Sequence, residues 1–354
     1  MIKTNKILIF KNNYMAKRAI FDKKNILITG GAGFIGSHLC DELVKTCKVI
    51  CLDNFSTGDE RNIDHLLAES NFEFIRHDLS LPIDLEHLAE LQKFKIQFQG
   101  LQEIYHLACP TSPKNFEKNK IATLQALSAG TKNVLDLAVK YQAKLVHFSS
   151  SVVYGPRRQS NENIKEEDSG QVDMLSERSS YDEGKRFAET LVANYQQVYR
   201  LEAKIMRLFR VYGPRMKLGE GHLIPDLIFN ALDNQDLIIP GDKNFSSSFC
   251  YVNDCVDAAV QLMSSEISQP INIGSDVDIN LTKLANLIIK ILGSKSKIKY
   301  SASQLFFTSL CLPDIARARN QLGWMPIVTL EKGLEKTIDD LRASKGLKTA
   351  EIFA

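Results

Sequence analysis

The sequence predicts an α/β fold: a doubly wound parallel sheet with a smaller, interleaved C-terminal region. Short apolar runs alternate with helix-period segments from residue 25 to about residue 200. A glycine-rich turn links the first run to the first helix. Beyond Leu201 the alternation loosens, although apolar strands still recur. Strand and helix in rotation require right-handed crossovers, and these build a parallel sheet covered on both faces.

Each element has its own signal. "NILITG" (25–30) reads as a strand, and "FIGSHLCDELVK" (34–45) carries Ile35, Leu39 and Leu43 on one helical face. "KVICLD" (48–53) and "FEFIRHDL" (72–79) follow as strands, "IDLEHLAELQKF" (83–94) as a helix, and "EIYHLA" (103–108) as a strand. "ATLQALSAGTKNVLDLAVKY" (122–141) is a long helix, and "KLVHFSS" (144–150) the next strand. The polar stretch 157–180 is expected to be a loop lying over the site. "AKIMRLFRVYGPR" (203–215) runs as a strand into a Gly-Pro turn. "LIPDLIFNALDN" is helical, "FCYVNDCVDAAVQLM" strand then helix, and "PINIGS" a strand. The segments beginning at Leu281, Pro313 and Leu330 are helical.

The totals set bounds. A chain of 354 residues with 44% apolar and 24% charged residues has ample material for a core. A net charge of +2 gives no bulk electrostatic case for nucleic acid or an anionic membrane. No apolar run is long enough to span a bilayer, and the basic segment 1–22 lacks a secretory core, so it is read as a polar tail. Seven cysteines without a C-x-x-C pair or zinc spacing read as reduced thiols of a cytoplasmic protein, and no metal site is expected.

"TGGAGFIG" places Gly30, Gly33 and Gly36 between the first strand and the first helix. These glycines allow a tight turn, close approach of backbone to a pyrophosphate, and packing of the helix on the sheet, while the helix N-terminus faces the phosphates. Asp53 ends the second strand, where a carboxylate accepts both adenosine ribose hydroxyls and repels a 2′-phosphate. The cofactor is therefore read as NAD and the sheet as Rossmann-type. Residues 23–205 are expected to form the NAD-binding domain. Residues 206–345 are expected to be mainly a substrate-binding region, with segments near 245–275 returning to the sheet.

In "YDEGK", Tyr181 and Lys185 stand one helical turn apart on one face. An ammonium beside a phenol stabilises the phenolate, which then takes a proton from a sugar hydroxyl as hydride leaves the same carbon. Ser150, at the end of the preceding strand in "SSSVVYG", is the hydroxyl best placed to bond the same substrate oxygen.

The stretches "TGGAGFIGSHL", "LDNFSTG", "HDL", "YHLACPTSP", "GTKNVLDLA", "SSSVVYG", "ERSSYDEGKRFAETL" and "YGPRM" together resemble the extended short-chain dehydrogenase/reductases. Within these they are most similar to the UDP-glucuronate decarboxylases, over residues 24–341. The resemblance implies a cycle in which NAD takes hydride from C4 of a UDP-linked sugar, the 4-ketone loses CO₂ from C5, and hydride returns to give UDP-xylose. It implies Ser150, Tyr181 and Lys185 as the catalytic set. It lines the NAD with Gly30, Gly33, Phe34, Ile35, Gly36, Asp53, Asn54, Ser56, Thr57, Gly58, Asp78, Leu79 and Ala108, together with Tyr181 and Lys185. Pro110, Ser151, Arg210, Arg215 and His222 are expected on the substrate. A homodimer is also implied, with Phe187, Leu191 and Tyr195 and a face of the 115–141 helix as its seam; plain intrachain core is the competing reading of those side chains.

The sequence departs from that branch at four positions. Val152 stands where the branch has a glutamate, Cys311 and Ser247 where it has arginines, and Arg210 where it has an asparagine. Valine at 152 suits a 4-epimerase or 4-ketoreductase, which needs no acid–base group at C5, whereas Ser151–Val152 argues against a 4,6-dehydratase. Arg210 is expected either to reach the diphosphate that Ser247 no longer holds or to be a surface arginine beside Arg207 and Arg215. A non-catalytic NAD-binding sensor is the third reading, opposed by the retention of Ser150, Tyr181 and Lys185. His106 and His147 are read as core residues and Trp324 as packing.

Overall fold

The computed structural model describes residues 23–157, 163–241, 243–301 and 311–353. The polar tail expected at 1–22 lies outside the described residues.

The first half builds strands β1 (Asn25–Thr29), β2 (Lys48–Asp53), β3 (Phe72–Arg76), β4 (Glu103–His106) and β5 (Lys144–Ser150). Its helices are α1 (Phe34–Leu43), α2 (Ile96–Gln99), α3 (Pro113–Lys118), α4 (Lys120–Gln125) and α5 (Thr131–Tyr141). Next come α6 (Ser179–Tyr199), β6 (Ala203–Leu208), β7 (Val211–Tyr212), α7 (Leu223–Leu232), β8 (Leu237–Pro240), β9 (Ser246–Ser247) and β10 (Cys250–Tyr251). The chain closes with α8 (Val252–Ser264), β11 (Ile271–Ile273), β12 (Ile279–Asn280), α9 (Leu281–Leu292), β13 (Ile298–Ser301) and α10 (Leu330–Phe353).

A seven-stranded parallel sheet runs in the order β11-β6-β5-β4-β1-β2-β3. Alternate residues of β1 serve opposite faces. Ile26 and Ile28 pack with Leu39, Leu43 and Leu262 of α1 and α8. Leu27 packs with Val134 and Val192 of α5 and α6. Burial on both faces explains the continuous apolar runs in the sequence. The chain lays strands outward from β1 through β2 to β3, then crosses to β4 on the other side. The crevice at the ends of β1 and β4 is thus the switch point where such sheets take ligands.

A second core joins α7, α9 and α10 through Ile224, Leu227, Leu284, Ile288, Leu334 and Ile338. Asn280 starts α9 by accepting from the N–H groups of Thr282 and Lys283, and Gly293 ends it in a left-handed conformation. β11 returns to the edge of the main sheet beside β6, with α8 preceding it.

Three segments differ from expectation. The stretch 83–94 does not form an α-helix: Asp84 accepts from the Glu86 N–H at 3.1 Å and contacts the His87 ring at 2.7 Å. That local turn competes with helix initiation. Only a 3₁₀ segment (Ala89–Phe94) and the single turn α2 form, broken at Lys95, whose φ is 53°. The helix expected at 122–141 relaxes into a wider π-turn at Ala126–Gly130 between α4 and α5. The loop 157–180, so far as it is described, reaches the central cavity only at Arg178; elsewhere Ile164 pairs its backbone with Leu312 and Asp314.

Candidate active site

A cavity of about 730 Å³ opens over the ends of β1, β4 and β5 and beneath α7 and α10. At its floor the glycine turn does three separate jobs. Gly30 has φ +74°, and a side chain there would meet the Ala108 backbone at 2.9 Å. Gly36 packs so closely that a Cβ would lie 2.1 Å from the Gly30 carbonyl oxygen. Gly33 sits in extended conformation at the N-cap of α1, its N–H donating to the Gly30 carbonyl at 3.1 Å. Backbone therefore lines this end of the cavity, next to the first turn of α1, where Phe34, Ile35 and Gly36 also face it. This cradle fits a dinucleotide pyrophosphate.

Asp53 is held at the end of β2 by the N–H groups of Ala32 (3.1 Å) and Phe55 (2.9 Å). Burial raises its pKa, and these N–H groups oppose the rise. Asn54, Ser56, Thr57, Asp78, Leu79 and Ala108 line the cavity around it. Gly58 does not; its bare Cα lets the loop close on Asp53, because a Cβ would lie 3.0 Å from the carboxylate.

α6 carries Tyr181 and Lys185 inward, both buried. The Lys185 ammonium donates to the Phe148 carbonyl of β5 at 2.6 Å and lies 5.9 Å from the Tyr181 ring centroid. Ser150 ends β5 and caps the following 3₁₀ turn, accepting from the Val152 N–H at 3.4 Å. Burial, with the Cys109 thiol beside it, pushes the Tyr181 phenol above the ordinary tyrosine range, and the hydrogen bond with Ser150 pulls it back. Burial lowers the Lys185 pKa. Beneath them, His106 bridges Thr29 (2.8 Å) and Thr131 (3.1 Å), and its ring lies 5.3 Å from that of His147. Both imidazoles are fully buried and kept neutral by desolvation. They form the core under the site, as the sequence suggested.

Pro110, Ser151, Arg210, Arg215 and His222 all line the cavity. Arg215 is committed to Asp41 at 2.8 Å. Burial holds His222 down to about 4, so it is neutral at physiological pH. Arg210 is no surface arginine: burial, and then Arg178 nearby, lower its pKa to about 10. Val152 is buried in a cluster with Phe116, Leu127 and Tyr181, and also reaches the cavity. Cys311 and Ser247 do not line it. The Cys311 thiol packs against Val153, Tyr154 and Phe209 and contacts the Pro156 carbonyl at 3.6 Å. Sequence reasoning missed Arg178 and Glu220. Glu220 accepts from Ser112 at 2.6 Å on the cavity wall. Arg178 lies one turn before Tyr181, a spacing that had offered a signal.

A glycine-cradled dinucleotide pocket meeting a buried Ser–Tyr–Lys set defines an oxidoreductase-type fold that works on a hydroxyl-bearing substrate. Residues 26–274 match the profile described as the NAD dependent epimerase/dehydratase family, and the chain belongs to that family. It is 38% identical over 322 residues to UDP-glucuronic acid decarboxylase 1 of Xenopus tropicalis, covering 91% of this chain and 73% of that protein. It is 36% identical over 329 residues to UDP-glucuronic acid decarboxylase 5 of Arabidopsis thaliana, covering 91% of this chain and 90% of that one. Among solved structures it is similar to the UDP-glucuronic acid 4-epimerase of Bacillus cereus in complex with UDP-glucuronic acid and NAD. That similarity has a TM-score of 0.78 and 29% identity, covering 90% of this chain and 99% of the other.

Proposed function

We propose that the protein is an NAD-dependent enzyme acting at C4 of a UDP-linked sugar acid, of the UDP-glucuronate decarboxylase type. The observation that carries the reading is the convergence of Ser150, Tyr181 and Lys185 on the cavity whose floor is the glycine turn. NAD supplies a hydride acceptor and donor when bound. Gly30, Gly33 and Gly36 leave room for its pyrophosphate, and Asp53 accepts from its adenosine ribose. Tyr181 takes the C4 hydroxyl proton and later returns one. Ser150 bonds the same oxygen and orients it. Lys185, pinned to the Phe148 carbonyl, opposes charge on the phenolate. With a ketone at C4, the C5 carboxylate is β to a carbonyl, so CO₂ can leave through an enolate. The region 206–345 closes over the sugar and its diphosphate.

A second reading, 4-epimerization, is favoured by Val152: it offers no acid–base group beside C5, and its cluster with Phe116 and Leu127 is apolar. The test is to incubate purified protein with NAD and UDP-glucuronate and to analyse products. UDP-xylose with CO₂ supports the decarboxylase; the C4 epimer with carboxylate retained supports the second reading. Tight NAD binding without turnover of any UDP-sugar points to the sensor instead.

We also propose a cytoplasmic homodimer. Seven free thiols support the compartment. Among the described residues no helix is long and apolar enough to cross a membrane. Ile121 and Leu124 of α4 and Phe187 of α6 are exposed and support the seam. Leu191 and Tyr195, by contrast, pack against the chain's own core, and the Tyr195 hydroxyl donates to Asp136 at 2.6 Å. Sedimentation of Phe187→Glu against the parent tests the seam.

A further inference from the structure

We propose that Glu189 is a positioning residue for the catalytic set: it fixes the register of α6 on β5 and presents a carboxylate to the Lys185 ammonium. This rests on the reading of the site as a C4-acting UDP-sugar enzyme and deepens it, because Glu189 itself does not line the cavity.

One row of α6 carries the catalytic groups and extends past them. Tyr181, Lys185 and Glu189 follow one another at intervals of a helical turn and share a face. That face meets three successive residues of β5. The Tyr181 phenol is hydrogen-bonded with Ser150, the Lys185 ammonium donates to the Phe148 carbonyl at 2.6 Å, and the Ser149 hydroxyl donates to the Glu189 carboxylate at 2.6 Å. The first two ties belong to the groups that do the chemistry. The third falls between them on the strand and is made by a residue outside the cavity. Ser149 is buried, so this charge-assisted bond is sheltered from water.

The carboxylate is itself held. Arg207 of β6 donates to both of its oxygens, at 2.7 and 2.9 Å, and both side chains are largely buried. Arg207 is fixed in turn by donating to the Tyr154 hydroxyl at 2.8 Å and the Glu166 carbonyl at 2.9 Å, and Tyr154 donates onward to Asn272 of β11 at 2.7 Å. A bidentate pair leaves the carboxylate one orientation, so Ser149 meets a fixed acceptor and α6 is locked to β5 where the catalytic side chains leave it.

Charge gives Glu189 a second effect. Burial disfavours the Lys185 ammonium, and Cys109 and then Glu189 oppose that. The titratable groups around this ammonium come from three places. β4 and the loop after it bring His106 and Cys109, β5 brings His147, and α6 brings Tyr181 and Glu189. Burial keeps both imidazoles neutral and pushes the Cys109 thiol up to about 11. Tyr181 is a neutral phenol at rest, its pKa raised by burial. Glu189, paired with Arg207, is the member of this set that brings a carboxylate. Lys185 can support a phenolate only while it keeps its own proton, and Glu189 favours that state through space.

The test compares the NAD-loaded parent with Glu189→Gln and Glu189→Asp, following kcat for UDP-glucuronate against pH. Glutamine keeps the length and still accepts from Ser149 but carries no charge; aspartate keeps the charge and draws it back from Ser149. A bell-shaped profile reports the phenol on its acid limb and the ammonium on its alkaline limb. In Glu189→Gln the acid limb is expected to move to higher pH and the alkaline limb to lower pH. Its kcat at the optimum is expected to fall at least about tenfold, a part of the roughly 100- to 10,000-fold that general acid–base catalysis supplies. KM and NAD affinity are expected to stay within about threefold, as for a residue that binds neither ligand. Glu189→Asp is expected to lose kcat while keeping the parent's limbs. Unmoved limbs in Glu189→Gln make the residue merely structural and overturn the proposal, as does parental kcat in both variants. Melting temperature reports folding. If Glu189→Gln unfolds, Ser149→Ala cuts the same tie from the strand: a fall in kcat of at least about threefold at unchanged KM is expected, and parental kcat overturns the proposal. If the parent turns over no UDP-sugar, NMR titration of lysine-labelled protein, with the Lys185 signal assigned by Lys185→Arg, reads the same charge without turnover. The Lys185 midpoint is expected to lie lower in Glu189→Gln than in the parent. Equal midpoints overturn the role of Glu189, whereas a lowered midpoint preserves it while the proposed reaction fails.

Discussion

Replacing each glycine of the turn by alanine separates three roles that the motif alone runs together. In Gly36→Ala the new methyl falls 2.1 Å from the Gly30 carbonyl oxygen and 2.8 Å from the Gly31 Cα, both backbone atoms. Neither can rotate aside, so the N-terminus of α1 must lift by about 1 Å, because interiors packed to crystal density have no slack. Overpacking of this kind costs about 1–3 kcal/mol, which exceeds the gain of up to ~1 kcal/mol that alanine brings to a helix. The apo protein should melt several degrees lower, at about 2–4 °C per kcal/mol. NAD affinity should fall, because the first turn of α1 is moved off the pyrophosphate cradle. Gly33→Ala behaves differently. Its φ of −76° suits alanine, and its methyl meets only the Gly30 carbonyl at 3.1 Å. Apo stability should stay within about 1 kcal/mol of the parent, as for a conformationally allowed substitution, while NAD affinity falls because the methyl occupies pyrophosphate space. Gly30→Ala falls between: the left-handed conformation costs about 1–2 kcal/mol, and the Ala108 contact at 2.9 Å adds to it. The assay is thermal melting with and without NAD, paired with fluorescence titration of NADH. A Gly33→Ala protein that melts below Gly36→Ala, or a Gly36→Ala protein that binds NAD like the parent, refutes the division of labour.

Three further outcomes are expected. Tyr181→Phe should lower turnover about 100- to 10,000-fold, the range for loss of a general acid–base, with NAD affinity within a few-fold in the same titration. Glu189→Ala should destabilise by up to about 3 kcal/mol in urea unfolding, because the largely buried Arg207 guanidinium, held by Glu189 at 2.7 and 2.9 Å, would lose its carboxylate and keep only the Tyr154 hydroxyl and the Glu166 carbonyl. His106, His147 and His222 have folded pKa values lowered by burial; the unfolded chain therefore binds more protons below about pH 6.5, and the stability they contribute is present above that pH and lost as pH falls toward 4, with a slope of up to ~1.4 kcal/mol per pH unit for each. Melting curves from pH 7.5 to 4.5 should fall monotonically, and His147→Phe should flatten the slope by one proton.

Much of the site was legible because its signals are local. Strands buried on both faces write apolar runs into the sequence, and β1, β2, β4 and β5 all carry such runs. The glycine spacing and the Tyr181–Lys185 turn each lie within one element. What the sequence hid depends on local competition or on long-range packing. The 83–94 stretch has a helical pattern, but one carboxylate, Asp84, captures the backbone at the point where a helix would begin. Gly58 shares a motif with cavity residues, yet its place is against Asp53 rather than in the cavity.

The arginines make the same point with more consequence for function. Counting charges along the chain registers Cys311 and Ser247 as losses, since each replaces a cation of the decarboxylase branch. Folded, neither position lines the cavity, so a tally of lost cations misjudges its charge. Arg178, one turn before Tyr181, lines the cavity, its guanidinium 5.0 Å from the centroid of Phe116, whose ring stacks on Tyr181. Arg210 also lines the cavity, at a backbone φ of +24° just past the end of β6. The charge a cavity presents therefore depends on where the fold carries each side chain more than on which positions in the sequence hold the cations.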